Sequence, residues 1–433
     1  MNIKKPYIIV EMVILFFIGF FFGAILFGPG YVEVLGKKYK SDIQVLDLSK
    51  ETIGTDYTWE NKLRYFRRLD SVLLGNENTI PIEEKERLNK TYPALAVQAI
   101  STYSLYGKAY REDATSLNFS DVFVDESIKD NLKYFYNVKE VYLYNQNLSD
   151  EFRISLLEEY PDIQFYWNVN VFGTKIDSAS TYLDFTGHTV DDFDQFVIDL
   201  KLLNKLEKLE MGESNLSHDE LGHLRELFPN IEINWVIHMG VWTLRTDDVA
   251  FSVLISNFPY TKLRTDDIQV LKYCTKLQAL DLGHQGLTDL SVIGDYLTNL
   301  RVLILADNKI TDITPLSKLT HLHYVELQLN FIADPSPLAQ CTELVDVNLS
   351  HNPTLTSIMS LTNLPMIERF WCFMDAVPWS EKEIIKQSYP NAELVLSGWG
   401  STNYGWRLHE RYFAMIDMYH NNYISSSFSK YDK

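Results

Sequence analysis

"LRVLILADNKITDITPL", residues 300–316, decides the fold. Leu300, Leu303 and Leu305, then Asn308, Ile310, Asp312, Ile313, Pro315 and Leu316, make a frame that recurs on both sides. "LQALDLGHQGLTDLSVI", "LHYVELQLNFIADPSPL" and "LVDVNLSHNPTLTSIMSL" begin at Leu277, Leu322 and Leu344, so the steps between the four copies are 23, 22 and 22 residues. Self-similarity at such a period marks a solenoid, in which each copy adds one short strand to a parallel sheet and turns its aliphatic residues inward. Asn308, Asn330 and Asn352 close the strands. They are expected to bond backbone groups at the strand-to-turn corner, because a polar side chain inside the coil must find its partners there.

Upstream the period lengthens. "RLNKTYPALAVQA" (87–99), "SLLEEYPDIQFYW" (155–167), "HLRELFPNIEINW" (223–235) and, after the regular copies, "EIIKQSYPNAELVL" (383–396) each run from a helical stretch through an aromatic to Pro and then a strand. Pro93, Pro161 and Pro229 are spaced by 68 and 68 residues. In the third copy Ser217 and Glu220 make a capping box, Leu221, Leu224, Leu227 and Phe228 recur at helical spacing, and Ile231, Ile233 and Trp235 alternate with polar residues. With "VLDLS" (45–49), "SLNFS" (116–120) and "YLDFT" (182–186) leading each unit, one 68-residue unit predicts strand, helix, strand, helix, strand and a return loop.

The stretches from Leu277 onward resemble the bacterial internalin-like class of leucine-rich repeat, whose frame L-x-x-L-x-L-x-x-N-x-I-x-D-I-x-P-L is complete at 300–316. The frame departs at Gln285, which stands in place of Asn, and at Pro353, where the turn carries an extra residue. The resemblance implies an α/β leucine-rich repeat solenoid with a parallel sheet on a concave face and helices and turns on the convex one. It further implies a binding module rather than an enzyme. The expected organisation is 1–30 as an N-terminal membrane anchor or signal segment, 31–260 as three enlarged units, 261–365 as regular repeats and 366–433 as a C-terminal cap with an aromatic tail.

Composition narrows the function classes. The chain has 433 residues, is 46% hydrophobic and carries 39 basic against 58 acidic residues, a formal charge of −19. That leaves no basic footprint for nucleic acid. Three cysteines do not make a disulfide framework. "YIIVEMVILFFIGFFFGAILF", Tyr7 to Phe27, has Glu11 as its only charge and at ~1.5 Å per residue is long enough to cross a ~30 Å hydrocarbon core. No A-x-A cleavage site follows it. An uncleaved single-pass anchor with the repeats outside the cell is therefore expected. Gly19 and Gly23 have the G-x-x-x-G spacing that lets two such helices approach, a route to a weak homodimer.

Catalytic and cofactor motifs are missing. The sequence has no G-x-G-x-x-G, P-loop, H-E-x-x-H or G-x-S-x-G. His218 and His223 are five apart and face different sides of a helix, and the histidines in general read as solvated groups; neither metal nor cofactor is expected. The "TDD" doublets at 246–248 and 265–267 read as helix caps rather than a calcium loop. A hydrolase or transferase would need Trp399, Trp406, His409 and Glu410 around an open cleft.

A partner is expected on the face between the inward aliphatics. That face carries Tyr142 and Tyr144 in the enlarged units, Asp281, Ile304, Tyr324, Glu326, Gln328 and Asn348 in the regular ones, and Arg369, Trp371 and Phe373 at the end. Aromatics and Arg most often carry binding energy, so Tyr324, Glu326, Trp371 and Phe373 form the expected contact patch, with packing of Trp371 and Phe373 beneath the C-terminal tail as the competing reading. The partner would be a protein or a surface glycan. The other class of function is a structural, self-associating cell-surface protein.

Overall fold

The computed structural model describes residues 30–55, 57–254, 262–398 and 405–424. The span Tyr7 to Phe27, its Gly19 and Gly23, and Trp399 lie outside them. Among the described residues no helix is long and apolar enough to cross a membrane. The described chain divides into two units, one holding the residues up to Ala179 with Ile198–Asn204, the other Ser180–Val197 and the residues from Lys205 onward.

The repeated proline has a local cause. Helices Ile82–Thr91, Asp150–Glu159, His218–Leu227 and Trp379–Ser388 are ten residues long, and each is followed by an aromatic and then Pro. Proline disfavours the α region for the residue before it. Tyr92, Tyr160, Phe228 and Tyr389 accordingly sit at φ −122° to −127° and ψ 63° to 69°. Each helix stops at the same angle and releases the chain into a strand. Ser149 and Ser217 cap the second and third of these helices, and the latter completes a capping box with Glu220.

The enlarged units contain the expected strand, helix, strand, helix, strand order, but the return loop is a β-hairpin. In the first unit Ala96–Leu105 turns back as Lys108–Arg111, and Asn168–Val171 as Thr174–Asp177. In the second, Glu232–Met239 turns back as Trp242–Arg245. Leu35–Gly36, Tyr106–Gly107 and Phe172–Gly173 have both central residues at positive φ, the I′ arrangement whose twist suits a two-residue hairpin. The X-Gly dipeptides, with a leucine or an aromatic before the glycine, were the signal for these turns.

The second unit carries a seven-stranded parallel sheet: Ala250–Ser252, Ala279–Asp281, Val302–Ile304, Tyr324–Glu326, Asp346–Asn348, Arg369–Trp371 and Glu393–Val395. Its register is unbroken, so that Leu280, Leu303, Val325, Val347 and Phe370 form one inward row, all fully buried. This is a leucine-rich repeat solenoid. Complete burial of each such side chain contributes about 1.5–3 kcal/mol.

Strands of three residues make few ladder bonds, and the side-chain amides supply the rest. Asn330 accepts from the Ile310 amide at 3.0 Å and donates to the carbonyls of Leu305 and Leu327 at 3.0 and 3.1 Å. Asn308 and Asn352 repeat the pattern one coil away on either side. Gln285 fills the missing place, accepting from Leu263 N at 2.9 Å. In the enlarged units Asn78, Gln146 and Asn215 make equivalent bonds across the coil. Deleting Asn330 should leave the buried Ile310 amide without an acceptor, while the Leu305 and Leu327 carbonyls each drop to a single amide donor, from Asn308 and Asn352. Asn330→Ala is expected to lower unfolding free energy by about 2 kcal/mol in urea, whereas Asn299→Ala, whose one bond to Thr275 O is exposed, should cost well under half as much. Equal losses would contradict the ladder's role.

Candidate functional site

Two strand faces carry the expected site residues, and their surroundings differ. On the second unit's sheet the outward rows run Ala279, Val302, Tyr324, Asp346, Arg369 and Asp281, Ile304, Glu326, Asn348, Trp371. All of them are buried, as are Gln328 and Phe373 just beyond the strands. The repeat pattern predicts this face turned to a partner. It is turned instead to the chain's own C-terminal segment, which covers it with the 3-10 turn Trp406–Leu408 and the helix Glu410–Asn421.

The segment is built for that place. Arg411, Met415, Met418 and Tyr419 fall on one side of the helix and are its buried residues. Met415, Met418, Tyr419 and Trp406 pack with Ala279, Val302, Ile304, Ala306, Tyr324, Trp371 and Phe373. The helix ends at Asn422, at φ 50°, whose side chain accepts from the amides of Val249 and Ala250 at 2.8 and 3.1 Å and donates to Asp248 at 2.7 Å. One capping residue thereby stitches the helix to the first edge of the sheet.

Charges buried beneath this cover are paired. Glu326 accepts from Tyr324 Oη, from Gln328 Nε2 at 2.8 Å, from Trp406 Nε1 at 2.9 Å and from the Arg407 guanidinium at 2.8 Å. Asp346 takes Arg369 and Arg411, and Arg411 also reaches Glu368. Arg369 lies 4.0 Å over the Trp406 ring and donates to its carbonyl. Asp281 is the exception. It accepts from Ser252 Oγ and the Gly283 amide but makes no ion pair among the described residues, and burial, against a weaker pull from Arg407, pushes its carboxyl up to about 6. Burial likewise raises Asp346, against the pull of Arg411 and Arg369.

The first unit presents the other face. Strands Ser116–Asn118, Glu140–Tyr142 and Gln164–Tyr166 pair in parallel, so Tyr142 stands directly beside Tyr166. Their rings stack, with centroids 4.6 Å apart and planes within 8°. Glu140 accepts from both hydroxyls, at 3.1 and 3.2 Å, and Asp177 from the Tyr144 hydroxyl at 2.9 Å. Burial and the Asp177 bond push the Tyr144 phenol up to about 12; the Glu140 bond raises Tyr142. The three tyrosines are half-buried and Asp177 is exposed. Of the expected contact residues, Tyr142 and Tyr144 are therefore the ones left accessible. Tyr166 occupies the same outward row and could have been read from "FYW"; Asp177 sits on a hairpin that the return-loop reading hides.

Other expectations resolve plainly. Trp406 is fully buried against the sheet and His409 Nδ1 caps its own helix by accepting from Arg411 N, so they do not line an open cleft. His218 accepts from Trp235 Nε1 and His323 is buried, a correction to the picture of solvated histidines. Thr246–Asp248 caps no helix: Thr246 Oγ accepts from the Trp235 amide between strands. All three cysteines are free and buried. Among the described residues no cluster of three potential metal ligands occurs. With its strand face covered, the second unit keeps exposed apolar residues at Leu329, Phe331 and Met374, beside a groove of about 520 Å³ at the turn ends of the repeats.

Residues 298–339 match the family model described as Leucine Rich repeats (2 copies). No curated protein matches the chain. Among solved structures it is similar to an internalin (inlF) of Listeria monocytogenes, at 19% identity over 84% of this chain and 84% of that one, with a TM-score of 0.32. It is also similar to internalin C2 of the same organism, at 20% identity over 52% of this chain and 85% of that one, TM-score 0.28. A leucine-rich repeat protein of Leptospira interrogans gives 18% identity, 82% and 90% coverage, and a TM-score of 0.30. The fold assignment rests on the strand register and the side-chain ladder.

Asp281 supplies a test of the covered face. Its carboxyl binds a proton more tightly folded than unfolded, so its contribution to stability is complete below the ordinary carboxyl range and is lost as pH rises through about 6. An elevation of that size is worth about 3 kcal/mol. Asp281→Asn keeps a group for both bonds and removes the titration. Its unfolding free energy should exceed that of the wild type at pH 8 and converge on it at pH 4; parallel curves would contradict the burial of Asp281.

Proposed function

We propose that the chain is a non-enzymatic recognition protein, anchored through Tyr7 to Phe27 with its repeats outside the cell, that binds a macromolecular partner through the strand face of its first unit. The observation that carries this reading is the accessible Tyr142–Tyr144–Tyr166 patch, set against a second face occupied by the chain itself. Supporting it are the leucine-rich repeats at 298–339, since such modules generally mediate protein interactions, and the apolar length of the N-terminal segment. Tyrosines offer large rigid contact area at low entropic cost, and patches of this kind hold the dominant binding residues of interfaces.

Full-length chain extracted with mild detergent from the membrane fraction should capture a surface protein or glycan. The combined substitution Tyr142→Ala, Tyr144→Ala, Tyr166→Ala should abolish that capture in a variant whose thermal midpoint matches the wild type. Capture that survives this variant, or a chain that stays out of the membrane fraction, would overturn the reading.

A further inference from the structure

The second unit contains a filled example of a strand-face tyrosine and glutamate. Tyr324 and Glu326 flank the inward Val325, and the tyrosine hydroxyl donates to the carboxylate. What completes the pair is a guanidinium: Arg407 donates to Glu326 Oε2 at 2.8 and 3.3 Å while lying 5.2 Å from the centre of the Tyr412 ring. The first unit repeats the pair with the order reversed. Glu140 and Tyr142 flank the inward Val141, and again the hydroxyl donates to the carboxylate. Among the described residues no guanidinium arrives here. Neither Glu140 nor Asp177 has an ion-pair partner among the described residues, although both sit amid tyrosine rings.

The hydrogen-bond inventory narrows what can fill the place. The hydroxyls of Tyr142, Tyr144 and Tyr166 are all committed as donors to these two carboxylates. What the patch has left to offer is acceptor oxygens, negative charge and the faces of aromatic rings. A neutral sugar would find acceptors here but no tyrosine hydroxyl free to donate back and nothing of its own to match the charge, and an anion is repelled. A guanidinium is complementary on every count: it carries five N–H donors and no acceptor, pairs with carboxylate through two parallel bonds, and stacks on tyrosine. The formal charge of −19 adds long-range attraction of the same sign.

Resting on the reading that this patch is the binding surface, we propose that its partner is a protein segment bearing arginine, with the guanidinium paired to Glu140 or Asp177 over the tyrosine rings. The chain's own C-terminal segment, with Arg407 on Glu326, is the specimen of the interaction.

The test uses the full chain and a fluorescein-labelled hexapeptide, Gly-Arg-Gly-Arg-Gly-Gly, beside the same peptide with citrulline for arginine, read by fluorescence anisotropy. Citrulline keeps the shape and removes the charge. The arginine peptide should saturate with a Kd below about 1 mM and the citrulline peptide should not. Glu140→Gln with Asp177→Asn should weaken the arginine peptide by about tenfold or more, the loss of one charge-assisted pair. Glu158→Gln with Asp162→Asn, two exposed carboxylates away from the strand face, should change it by less than about twofold, the screened long-range share. Equal losses in the two variants would mean general attraction to an acidic chain and would overturn the proposal, as would no saturable binding, equal binding of the two peptides, or a neutral oligosaccharide, chitotetraose, bound regardless of Glu140→Gln and Asp177→Asn. If the partner captured from cells is lost with the tyrosine variant but kept with Glu140→Gln and Asp177→Asn, the binding surface stands and the arginine assignment falls. If it is kept with both, both fall.

Discussion

A carboxylate removed from water must be paired, and Glu326 is wholly removed from water. Its pairing with Trp406 and Arg407, eighty residues downstream, holds the C-terminal segment on the second unit's sheet. The helix that follows places Arg411 on Asp346, and Met415, Met418 and Tyr419 on the apolar row. Remove the cover and Glu326 loses its cation and Asp346 one of its two, Arg411, while Val302, Ile304, Tyr324, Trp371 and Phe373 meet water. Breaking one buried pair by deleting a partner typically costs about 3–5 kcal/mol, so cover and sheet are expected to behave as one cooperative body.

The covered face changes where recognition can occur. In a solenoid, residues between the inward aliphatics are the natural contact surface, yet on the second unit's seven-stranded sheet nearly all of that surface is core. The first unit keeps the stacked Tyr142 and Tyr166 rings with Tyr144 beside them, half-buried and hence both rigid and accessible. One chain thus shows the same outward row in two conditions, filled by its own arginine in one unit and unfilled in the other.

How much of this was legible depends on range. The inward leucines, the asparagine corners and the proline-stopped helices are set within a few residues, and periodicity displays them. The hairpins were legible in principle, since Tyr106–Gly107 and Phe172–Gly173 supply the positive φ that a two-residue turn demands. The covered face was harder, because spacing along the chain carries no trace of a contact such as Arg407 with Glu326. A compositional sign was present: Ala279, Val302, Ile304 and Ala306 put apolar side chains at outward positions, where a face meant for water would be polar. Tyr166 followed from the register of its neighbours, whereas Asp177 required knowing that a hairpin brings its strand back.

The distinction between a covered and an uncovered face can be read directly by hydroxyl-radical footprinting of the folded full-length chain, with oxidation quantified at each aromatic residue. Tyr142, Tyr144 and Tyr166 should be modified at rates between those of the exposed Tyr136 and Tyr182 and that of the buried Tyr324, while Tyr324, Trp371, Phe373 and Trp406 should be protected. Fast modification of Trp371 and Trp406 together with protection of Tyr142 and Tyr166 would contradict the account.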